Sequence, residues 1–330
     1  METTAGRSTS TPSSPIITWY PAPGVGSSRT EAGIHDHWVM YTRFMSQARQ
    51  LAAEVAVHST GSGEPIVLLH ANGGDHRDFD AVVDRLAAHH AVHAIDWPGW
   101  GDSTTTEGPT ATGYAAALPH VLQSLGGGPF VLIGNSVGGF AAIHAAATHP
   151  ELVRGLVLVN PGGFTPRWPG SVAVCRLIGW PRLAGRAMRT LPRLYLRRTT
   201  PAVAEIRHRA AEMSTDPHRV EAFASIWRSF AMREHDARPH ARLVAVPTLL
   251  MWGRRDPVLA WTIDGRRARR ALEGAQVATF PCGHQAFAEM PDEFMAELEP
   301  FLRSLPSRPP TRARVISDHE PSTTDHQRSD

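Results

Sequence analysis

The chain has 330 residues, a formal net charge of +2 and 42% hydrophobic residues, which is the balance of an ordinary globular protein. This length suffices for one large α/β domain with an insertion. Only two cysteines occur, Cys175 and Cys282, so the sequence excludes a disulfide framework and favours a reducing cytoplasm. No stretch approaches the roughly 20 consecutive apolar residues that span a bilayer.

Both ends of the chain are polar. The first 33 residues contain 20 Ser, Thr, Pro or Gly residues, a composition that predicts a disordered tail, and residues 305–330 predict a second one. The N-terminal tail lacks the charged start and apolar run of a signal peptide. The segment from Trp38 to Leu51 presents a helical apolar face but is compatible with an early strand, so its structure stays open.

Two short apolar runs, Pro65–Leu69 and Ala91–Ile95, predict the first buried strands of a sheet. The first run ends in His70-Ala-Asn-Gly-Gly74. A loop of this kind can turn a backbone N–H towards a substrate oxygen, and we assign that donor to Asn72. His70 is expected to bond the loop backbone and not to react.

The next apolar run carries the most informative motif of the sequence. Phe130–Ile133 predicts a buried strand, Phe140–Ala147 predicts a helix, and Gly134-Asn-Ser-Val-Gly138 lies between them. This is a G-x-S-x-G nucleophile elbow, in which a sharp strand-to-helix turn leaves no room for a Cβ two residues before or after the serine. The turn presents Ser136 at a helix N-terminus, where developing negative charge is favoured.

A nucleophilic serine needs a base and an orienting acid, and both occur past later strands. The run Val246–Gly253 predicts a strand, and Asp256 follows it; Gln276–Phe280 predicts the last strand, and His284 follows that one. In an open α/β sheet the loops beyond the carboxyl ends of the strands gather at one edge. The order serine, acid, histidine is also that of a Ser-His-Asp triad on such a sheet.

Alternative roles remain for several of these residues. Asp256 could only cap its own turn, as Asp-Pro often does, and His284 could be a surface histidine. Asn160, after the strand Leu156–Val159, occupies a rival acid position, but an amide cannot stabilise an imidazolium as a carboxylate does. Cys282 is interpreted as a packing residue, because Ser136 already fills the role of nucleophile.

The chain resembles the α/β-hydrolase superfamily across roughly residues 52–304. The resemblance is carried by five motifs in the family's order: His70-Ala-Asn-Gly-Gly74, Asp96-x-Pro-Gly-x-Gly-x-Ser103, Gly134-Asn-Ser-Val-Gly-Gly139, Trp252-Gly-x-x-Asp-Pro-Val258 and Gly283-His284 with Glu289, Pro291 and Phe294 behind it. One departure is Ala71, where many relatives carry glycine.

The resemblance implies an α/β fold with a mostly parallel twisted sheet flanked by helices and a helical cap inserted after the sixth strand. The implied core is residues 34–160 and 247–304, and the implied cap is residues 161–246. Ser136 would be the nucleophile, His284 the base and Asp256 the acid. The oxyanion hole would use the backbone amides of Asn72 and Val137. No cofactor is implied.

The predicted cap is rich in arginine. Residues 161–246 hold 15 Arg and six acidic residues, and the stretch from Pro161 to Ala204 holds eight Arg and no acid. Apolar residues lie between these arginines. This pattern predicts either a solvated basic face offset by acids of the core, a lid that rests on an anionic lipid surface, or a site for acidic substrates.

Two further partners are not supported by the sequence. The basic region carries no zinc-finger, helix-turn-helix or aromatic RNA-binding motif, so no nucleic-acid partner is expected. The histidine groups His35-Asp-His37 and His89-His90-Ala-Val-His93 lack a set of carboxylate or cysteine ligands, so no metal is predicted.

The sequence therefore predicts a cytoplasmic serine hydrolase that cleaves a carboxylic ester, or a similar acyl bond, of a small molecule. One alternative is hydrolysis of a carbon–carbon bond, because Gly-Asn-Ser-x-Gly-Gly is similar to the elbow of hydrolases acting on ring-fission products. The chain departs from those enzymes at Gln285, where they commonly carry tryptophan. The other alternative is a non-catalytic ligand-binding protein on the same fold.

Overall fold

The structure, a computed structural model, describes residue 42 and residues 45–104 and 108–306. Seven strands form one sheet in the order β1-β3-β2-β4-β5-β6-β7, with β1 antiparallel to β3 and every other pair parallel. The strands are β1 (Ala56–Thr60), β2 (Glu64–Leu69), β3 (His90–Asp96), β4 (Phe130–Asn135), β5 (Val153–Val159), β6 (Thr248–Gly253) and β7 (Gln276–Phe280).

Helices cover the sheet and fill the insertion between β5 and β6. They are α1 (45–53), α2 (Asp80–Ala87), α3 (Ala111–Leu125), α4 (Val137–Thr148), α5 (Pro169–Ile178), α6 (Pro181–Tyr195), α7 (Pro201–Met213), α8 (Pro217–Phe230), α9 (Arg238–Ala241), α10 (Arg266–Ala271), α11 (Ala286–Glu289) and α12 (Pro291–Ser304). Short 3-10 turns lie at His76–Phe79, Pro150–Leu152 and Arg233–His235, and a π-helical turn lies at Trp261–Gly265.

Each central strand is buried on both faces, as parallel strands between two helix layers must be. Alternate residues point to opposite sides, so Val67 and Leu69 of β2 belong to one apolar cluster and Ile66 and Leu68 to the other. The first cluster includes residues of α3 and α4, and the second includes residues of α2 and α12. The sheet therefore presents a rigid row of carboxyl ends at one edge.

The expected α/β-hydrolase fold with a mostly parallel sheet is confirmed. Every strand predicted from an apolar run is present, and the run 276–280 matches β7 at both ends. In the described residues the helical insertion follows β5, the fifth strand in chain order, and holds α5 to α9. The edge strand β1 was not among the predicted strands.

The structure describes only part of the two chain ends for which the sequence made predictions. In the segment left open between helix and strand, residues 45–53 are helical. The predicted N-terminal tail, residues 1–33, lies outside the described residues, as does the C-terminal tail beyond residue 306. Leu305 still packs on the core beside Gly155. No helix within the described ranges is both long enough and apolar enough to cross a bilayer.

Candidate active site

Ser136 occupies the turn between β4 and α4 with a backbone φ of 55° and ψ of −116°. A positive φ at a residue with a Cβ costs of order 1–3 kcal/mol, so the surrounding structure must impose it. The backbone of Ser136 is held on both sides: its N–H donates to the Val159 carbonyl at 3.2 Å, and its carbonyl accepts from Gly162 N–H at 2.8 Å. The turn thus places the Ser136 side chain at the carboxyl edge of the sheet.

Two glycines make this turn sterically possible. A Cβ on Gly134 would lie 2.6 Å from the Gly138 carbonyl oxygen, and a Cβ on Gly138 would lie 2.3 Å from the Leu69 carbonyl oxygen. Real Cβ atoms do not approach so closely, so α4 can begin against the end of β2 only with glycine at both positions. The requirement deduced from the G-x-S-x-G spacing is present in the structure.

Asp256 lies in the loop after β6, and its carboxylate accepts four hydrogen bonds. Oδ1 accepts from the backbone N–H groups of Val258 at 2.8 Å and Leu259 at 3.2 Å. Oδ2 accepts from His284 Nδ1 at 2.6 Å and from Asn160 Nδ2 at 2.8 Å. Asp256 therefore caps its own turn and orients His284 at the same time, so the two roles considered from the sequence are compatible.

His284 follows β7 and is 5% exposed. Its Nδ1 donates to Asp256, which leaves Nε2 as the nitrogen able to accept a proton. The His284 backbone N–H donates to the Tyr195 carbonyl at 3.0 Å, and the Tyr195 ring meets the imidazole edge-on with centroids 5.1 Å apart. The insertion, which contributes Tyr195, therefore packs directly against this histidine.

The three residues of the predicted triad lie on loops of one edge of the sheet, but not all of them are in contact. Asp256 and His284 form a direct hydrogen bond. The Asn135 side chain, next to Ser136, donates to the His284 carbonyl at 3.1 Å and links the serine loop to the histidine loop. Among the described residues no hydrogen bond joins the Ser136 hydroxyl to His284. Catalytic hydrogen bonds of this kind commonly tighten only when substrate is bound.

Asn160 contributes to the site in a way that the sequence did not reveal. It was considered only as a rival acid position, whereas its amide binds the acid: Nδ2 donates to Asp256 Oδ2, and Oδ1 accepts from Gly253 N–H at 2.8 Å. Asn160 has a φ of 42°, a conformation that asparagine tolerates better than most residues. The available signal was an amide at the end of the strand next to the one that carries the acid.

The loop after β2 carries Asn72, the predicted oxyanion donor. His70 is fully buried and fixes this loop: its Nδ1 donates to the Ala71 carbonyl at 2.7 Å, and its Nε2 accepts from Trp97 N–H at 2.9 Å. Burial lowers the pKa of His70, although the charge of Asp96 alone would raise it. The ring is therefore neutral, as a ring with one donating and one accepting nitrogen must be. The Asn72 side chain donates to the Phe223 carbonyl of α8 at 3.3 Å.

Neither predicted oxyanion amide is used elsewhere. The backbone N–H groups of Asn72 and Val137 donate to no acceptor among the described residues. Val137 is the first residue of α4, and the first N–H groups of a helix have no intrahelical partner. Both amides are therefore free to bind an anionic oxygen.

A buried charged cluster lies directly behind the histidine loop. Arg209 of α7 is 4% exposed and donates to Asp78 Oδ1 at 2.9 Å, with Asp75 Oδ1 3.6 Å from its Nε. Gln285, the neighbour of His284, donates from Nε2 to Asp78 Oδ2 at 3.2 Å. The insertion is thus connected to the loop of His284 through two buried polar contacts.

The Asp78 carboxyl is unusual within this cluster. Burial and, to a smaller extent, the charge of Asp75 raise its pKa to about 7, although Arg209 and Gln285 oppose the shift. Asp75 behaves in the opposite way: burial alone would raise its pKa, but the hydrogen bond from Arg77 and the charge of Arg209 lower it. Asp75 is paired with Arg77 and lies near Arg209, whereas Asp78 has Arg209 as its one cationic partner among the described residues, so Asp78 is the carboxyl that takes up a proton near neutral pH.

Glu289 connects the insertion to the same loop in a second place. Its Oε2 accepts from the backbone N–H groups of Arg197 at 2.7 Å, Arg198 at 3.0 Å and Gly283 at 3.0 Å. The residue is 2% exposed. The end of α6 is thereby held against the turn that carries His284.

Cys282 does not compete with Ser136 as a nucleophile. It is fully buried, and burial raises the pKa of its thiol far above the ordinary range, so the reactive thiolate does not form at neutral pH.

Comparison with known proteins agrees with this geometry. Residues 66–297 match the sequence model of the alpha/beta hydrolase family. A pimeloyl–acyl-carrier-protein methyl ester esterase of Xanthomonas oryzae pv. oryzae is 30% identical over 259 residues, which cover 74% of this chain and 98% of that protein.

A second hydrolase and one solved structure are also similar to this chain. A 2-hydroxy-6-oxononadienedioate/2-hydroxy-6-oxononatrienedioate hydrolase of Burkholderia vietnamiensis is 28% identical over 268 residues, covering 76% of this chain and 92% of that protein. The solved structure of an esterase from Exiguobacterium antarcticum superposes with a TM-score of 0.66 at 23% identity, covering 76% of this chain and 96% of that one. At this identity the likeness shows the fold.

The raised pKa of Asp78 predicts how stability depends on pH. The folded state holds a proton at Asp78 up to a pKa of about 7, whereas the unfolded chain releases it near 3.8, so the stability due to this group falls progressively between pH 3.8 and 7 and levels off above that range. The advantage of the wild type over Asp78→Asn in free energy of unfolding should therefore shrink from pH 5 to pH 7.5, by up to about 1.4 kcal/mol per pH unit.

Urea unfolding at a series of pH values measures this advantage. Asp84→Asn, on the exposed side of α2, is the matched control and should show no such trend. An advantage that grows with pH would contradict the prediction, because it would mean that Asp78 is a stabilised anion in the folded state.

Proposed function

The chain belongs to the alpha/beta hydrolase family, and we propose that it cleaves a carboxylic ester, or a similar acyl bond, through Ser136, His284 and Asp256. That the protein is a hydrolase follows from the family and from relatives that are esterases and hydrolases. The observation that carries the finer proposal is the buried 2.6 Å hydrogen bond between His284 Nδ1 and Asp256 Oδ2. This bond fixes the histidine tautomer whose Nε2 can accept a proton.

The proposed reaction has two halves. Ser136 Oγ attacks the carbonyl carbon while His284 Nε2 takes its proton, and Asp256 stabilises the imidazolium that forms. The imidazolium then protonates the leaving alcohol, which gives an acyl-enzyme on Ser136. Water, deprotonated by His284, attacks the acyl carbon, and the returned proton restores the Ser136 hydroxyl.

The negative charge of each tetrahedral intermediate requires hydrogen-bond donors. We assign these to the backbone N–H groups of Asn72 and Val137, which make no other hydrogen bond among the described residues. Removal of one such donor costs a factor of roughly 10²–10³ in kcat in serine hydrolases. The side-chain hydrogen bond from Asn72 to the Phe223 carbonyl supports the assignment, because it anchors the loop to α8.

We assign residues 161–246 the role of a cap that shapes the substrate site. Tyr195 packs against the catalytic histidine, and Phe223 lies 3.4 Å from the position that a Cβ on Gly73 would occupy. The insertion thus approaches both the base and the oxyanion loop, which is where the two ends of an acyl substrate would lie.

Hydrolysis of a carbon–carbon bond is a second candidate. The observation that favours it is the 28% identity to the Burkholderia vietnamiensis hydrolase, which is named for a dienedioate and a trienedioate substrate. Gln285 follows the histidine here, and its side chain is buried against Asp78 and Asn135, so it is not available to a substrate in that position. Ester cleavage is therefore the function that the geometry supports better.

Fluorophosphonate labelling tests the nucleophile. The wild type should be labelled at one site and should hydrolyse p-nitrophenyl esters in a series from C2 to C12. Ser136→Ala should lose the label and at least about 10³-fold in kcat, because no oxygen remains to form the acyl-enzyme. Ser124→Ala, whose hydroxyl only bonds the Val121 carbonyl in α3, is the matched control and should retain both.

The outcomes separate the candidates. Labelling of Ser136 without turnover of any ester would favour carbon–carbon hydrolysis, which a dienedioate substrate can then test. Labelling that survives in Ser136→Ala would contradict the proposed mechanism.

We further propose that the insertion rests on an anionic lipid surface. The structure gives α5 no buried residue, and large apolar side chains are exposed on and beside α5 and α6: Trp168 (60% exposed), Val174 (53%), Leu177 (55%), Trp180 (48%) and Leu194 (49%). These five residues are named the α5–α6 face. Tryptophan is favoured at lipid interfaces because one ring combines an apolar body with an N–H donor.

The charge of the α5–α6 face matches this partner. The eight arginines between residues 161 and 204 form no direct ion pair with an acid of the described residues. Each basic residue near an anionic membrane contributes about 1 kcal/mol of attraction. Apolar side chains with unpaired arginines around them are the composition of an interfacial helix pair.

Vesicle co-sedimentation measures this association. Binding should be several-fold stronger to vesicles of phosphatidylcholine with phosphatidylglycerol than to phosphatidylcholine alone. Leu177→Glu should weaken it several-fold, because the change removes apolar contact and adds repulsion. Leu243→Glu, 66% exposed but outside the α5–α6 face, should bind like the wild type. Equal binding to both kinds of vesicle would contradict the proposal.

A further inference from the structure

Four side chains with metal-ligating atoms converge where β1 meets the loops that follow β2 and β3. His58 Nε2 lies 3.1 Å from Asp96 Oδ2 and 3.5 Å from Asp102 Oδ2. His76 Nδ1 lies 3.0 Å from Asp96 Oδ2. One donor atom from each of His58, His76 and Asp96 falls within 4.8 Å of the other two, the one such group of three among the described residues.

The four residues come from three separate parts of the fold. His58 is on the edge strand β1, His76 begins the 3-10 turn after β2, and Asp96 and Asp102 belong to the loop after β3. Backbone bonds orient the Asp96 carboxylate: Oδ1 accepts from His76 N–H at 2.7 Å, and Oδ2 accepts from Asp102 N–H at 2.9 Å. Hydrogen bonds of this kind are what hold ligands in place at metal sites.

The separations fit a tetrahedral ion. Ligand atoms about 2.0–2.1 Å from a tetrahedral Zn²⁺ lie about 3.3 Å from one another. Three of the six ligand-atom separations are 3.0, 3.1 and 3.5 Å, close to this value. The two shorter ones are imidazole–carboxylate hydrogen bonds, which the ion would replace. The charges fit as well, because two carboxylates balance a divalent cation once the imidazoles bind it in their deprotonated form. Imidazole nitrogen and carboxylate oxygen are also ligands that Zn²⁺ accepts.

One movement is required for binding. The His58 and His76 rings stack with centroids 3.5 Å apart and 18° between their planes, so their in-plane lone pairs run side by side. For both to reach one ion, at least one ring must turn about its Cβ–Cγ bond. The side chains of His58 and Asp102 are 34% and 72% exposed, which gives that ring room and gives the ion a path from solvent.

We propose that His58, His76, Asp96 and Asp102 bind one divalent transition-metal ion of the Zn²⁺ type. The ion joins the edge strand β1 to the loops that follow β2 and β3. Asp96 precedes Trp97, whose N–H donates to His70, and His76 lies four residues after Asn72. The site is therefore a structural one that steadies the oxyanion loop, and its residues touch no reacting atom.

Isothermal titration of the untagged, chelator-treated full chain with ZnCl₂ tests the site. The wild type should bind one equivalent with a micromolar or tighter Kd. His58→Ala and Asp102→Asn should each weaken binding at least about 10-fold, since each removes one ligand. His93→Ala is the matched control: it lies on β3 opposite Ser59, bonds that hydroxyl and should bind Zn²⁺ like the wild type.

A second readout does not depend on affinity. Co²⁺ bound in place of Zn²⁺ should show the intense visible absorption of a tetrahedral centre, and His58→Ala should abolish it. Asp102 is so exposed that its change to Asn should not disturb folding, which circular dichroism verifies. No saturable binding, or binding that His93→Ala weakens as much as His58→Ala does, would overturn the proposal.

Discussion

The strained turn at Ser136 is the constraint on which the rest of the site depends. A serine at a φ of 55° is maintained only because β4, α4 and the end of β2 meet without a Cβ at Gly134 or Gly138. The same close approach exposes the first amide of α4, that of Val137, beside the loop of Asn72. The turn thus positions the proposed nucleophile and one proposed oxyanion donor together, and substitution of either glycine would displace both.

The proposed base and the proposed acid are held by a buried network of polar side chains that extends into the insertion. Asp256 binds His284 and Asn160, while Asp78 and Glu289 join the histidine loop to α7 and to the end of α6. A buried carboxylate is stable only when its oxygens accept hydrogen bonds. Removal of one hydrogen-bond partner therefore destabilises the other contacts of the network. This hydrogen-bond network therefore couples the position of the insertion to the orientation of His284.

Much of this arrangement follows from local sequence. Buried parallel strands appear in the sequence as continuous apolar runs, and the residues that follow them meet at one edge of the sheet. The positions of Ser136, Asp256 and His284 could therefore be predicted from the sequence. Contacts between residues far apart in the chain leave no such pattern. Asn160 binds a residue 96 positions away and Arg209 one 131 positions away. His58, His76 and Asp96 are likewise spread over three segments, so no local histidine motif in the sequence brings them together.

The most direct test of the central claim is the crystal structure of the fluorophosphonate adduct. The account predicts a phosphorus atom bonded to Ser136 Oγ, with one phosphonyl oxygen about 2.7–3.1 Å from the backbone nitrogens of Asn72 and Val137. His284 Nε2 should lie within hydrogen-bond distance of Ser136 Oγ. A phosphorus atom on another residue, or a phosphonyl oxygen turned away from both amides, would contradict it.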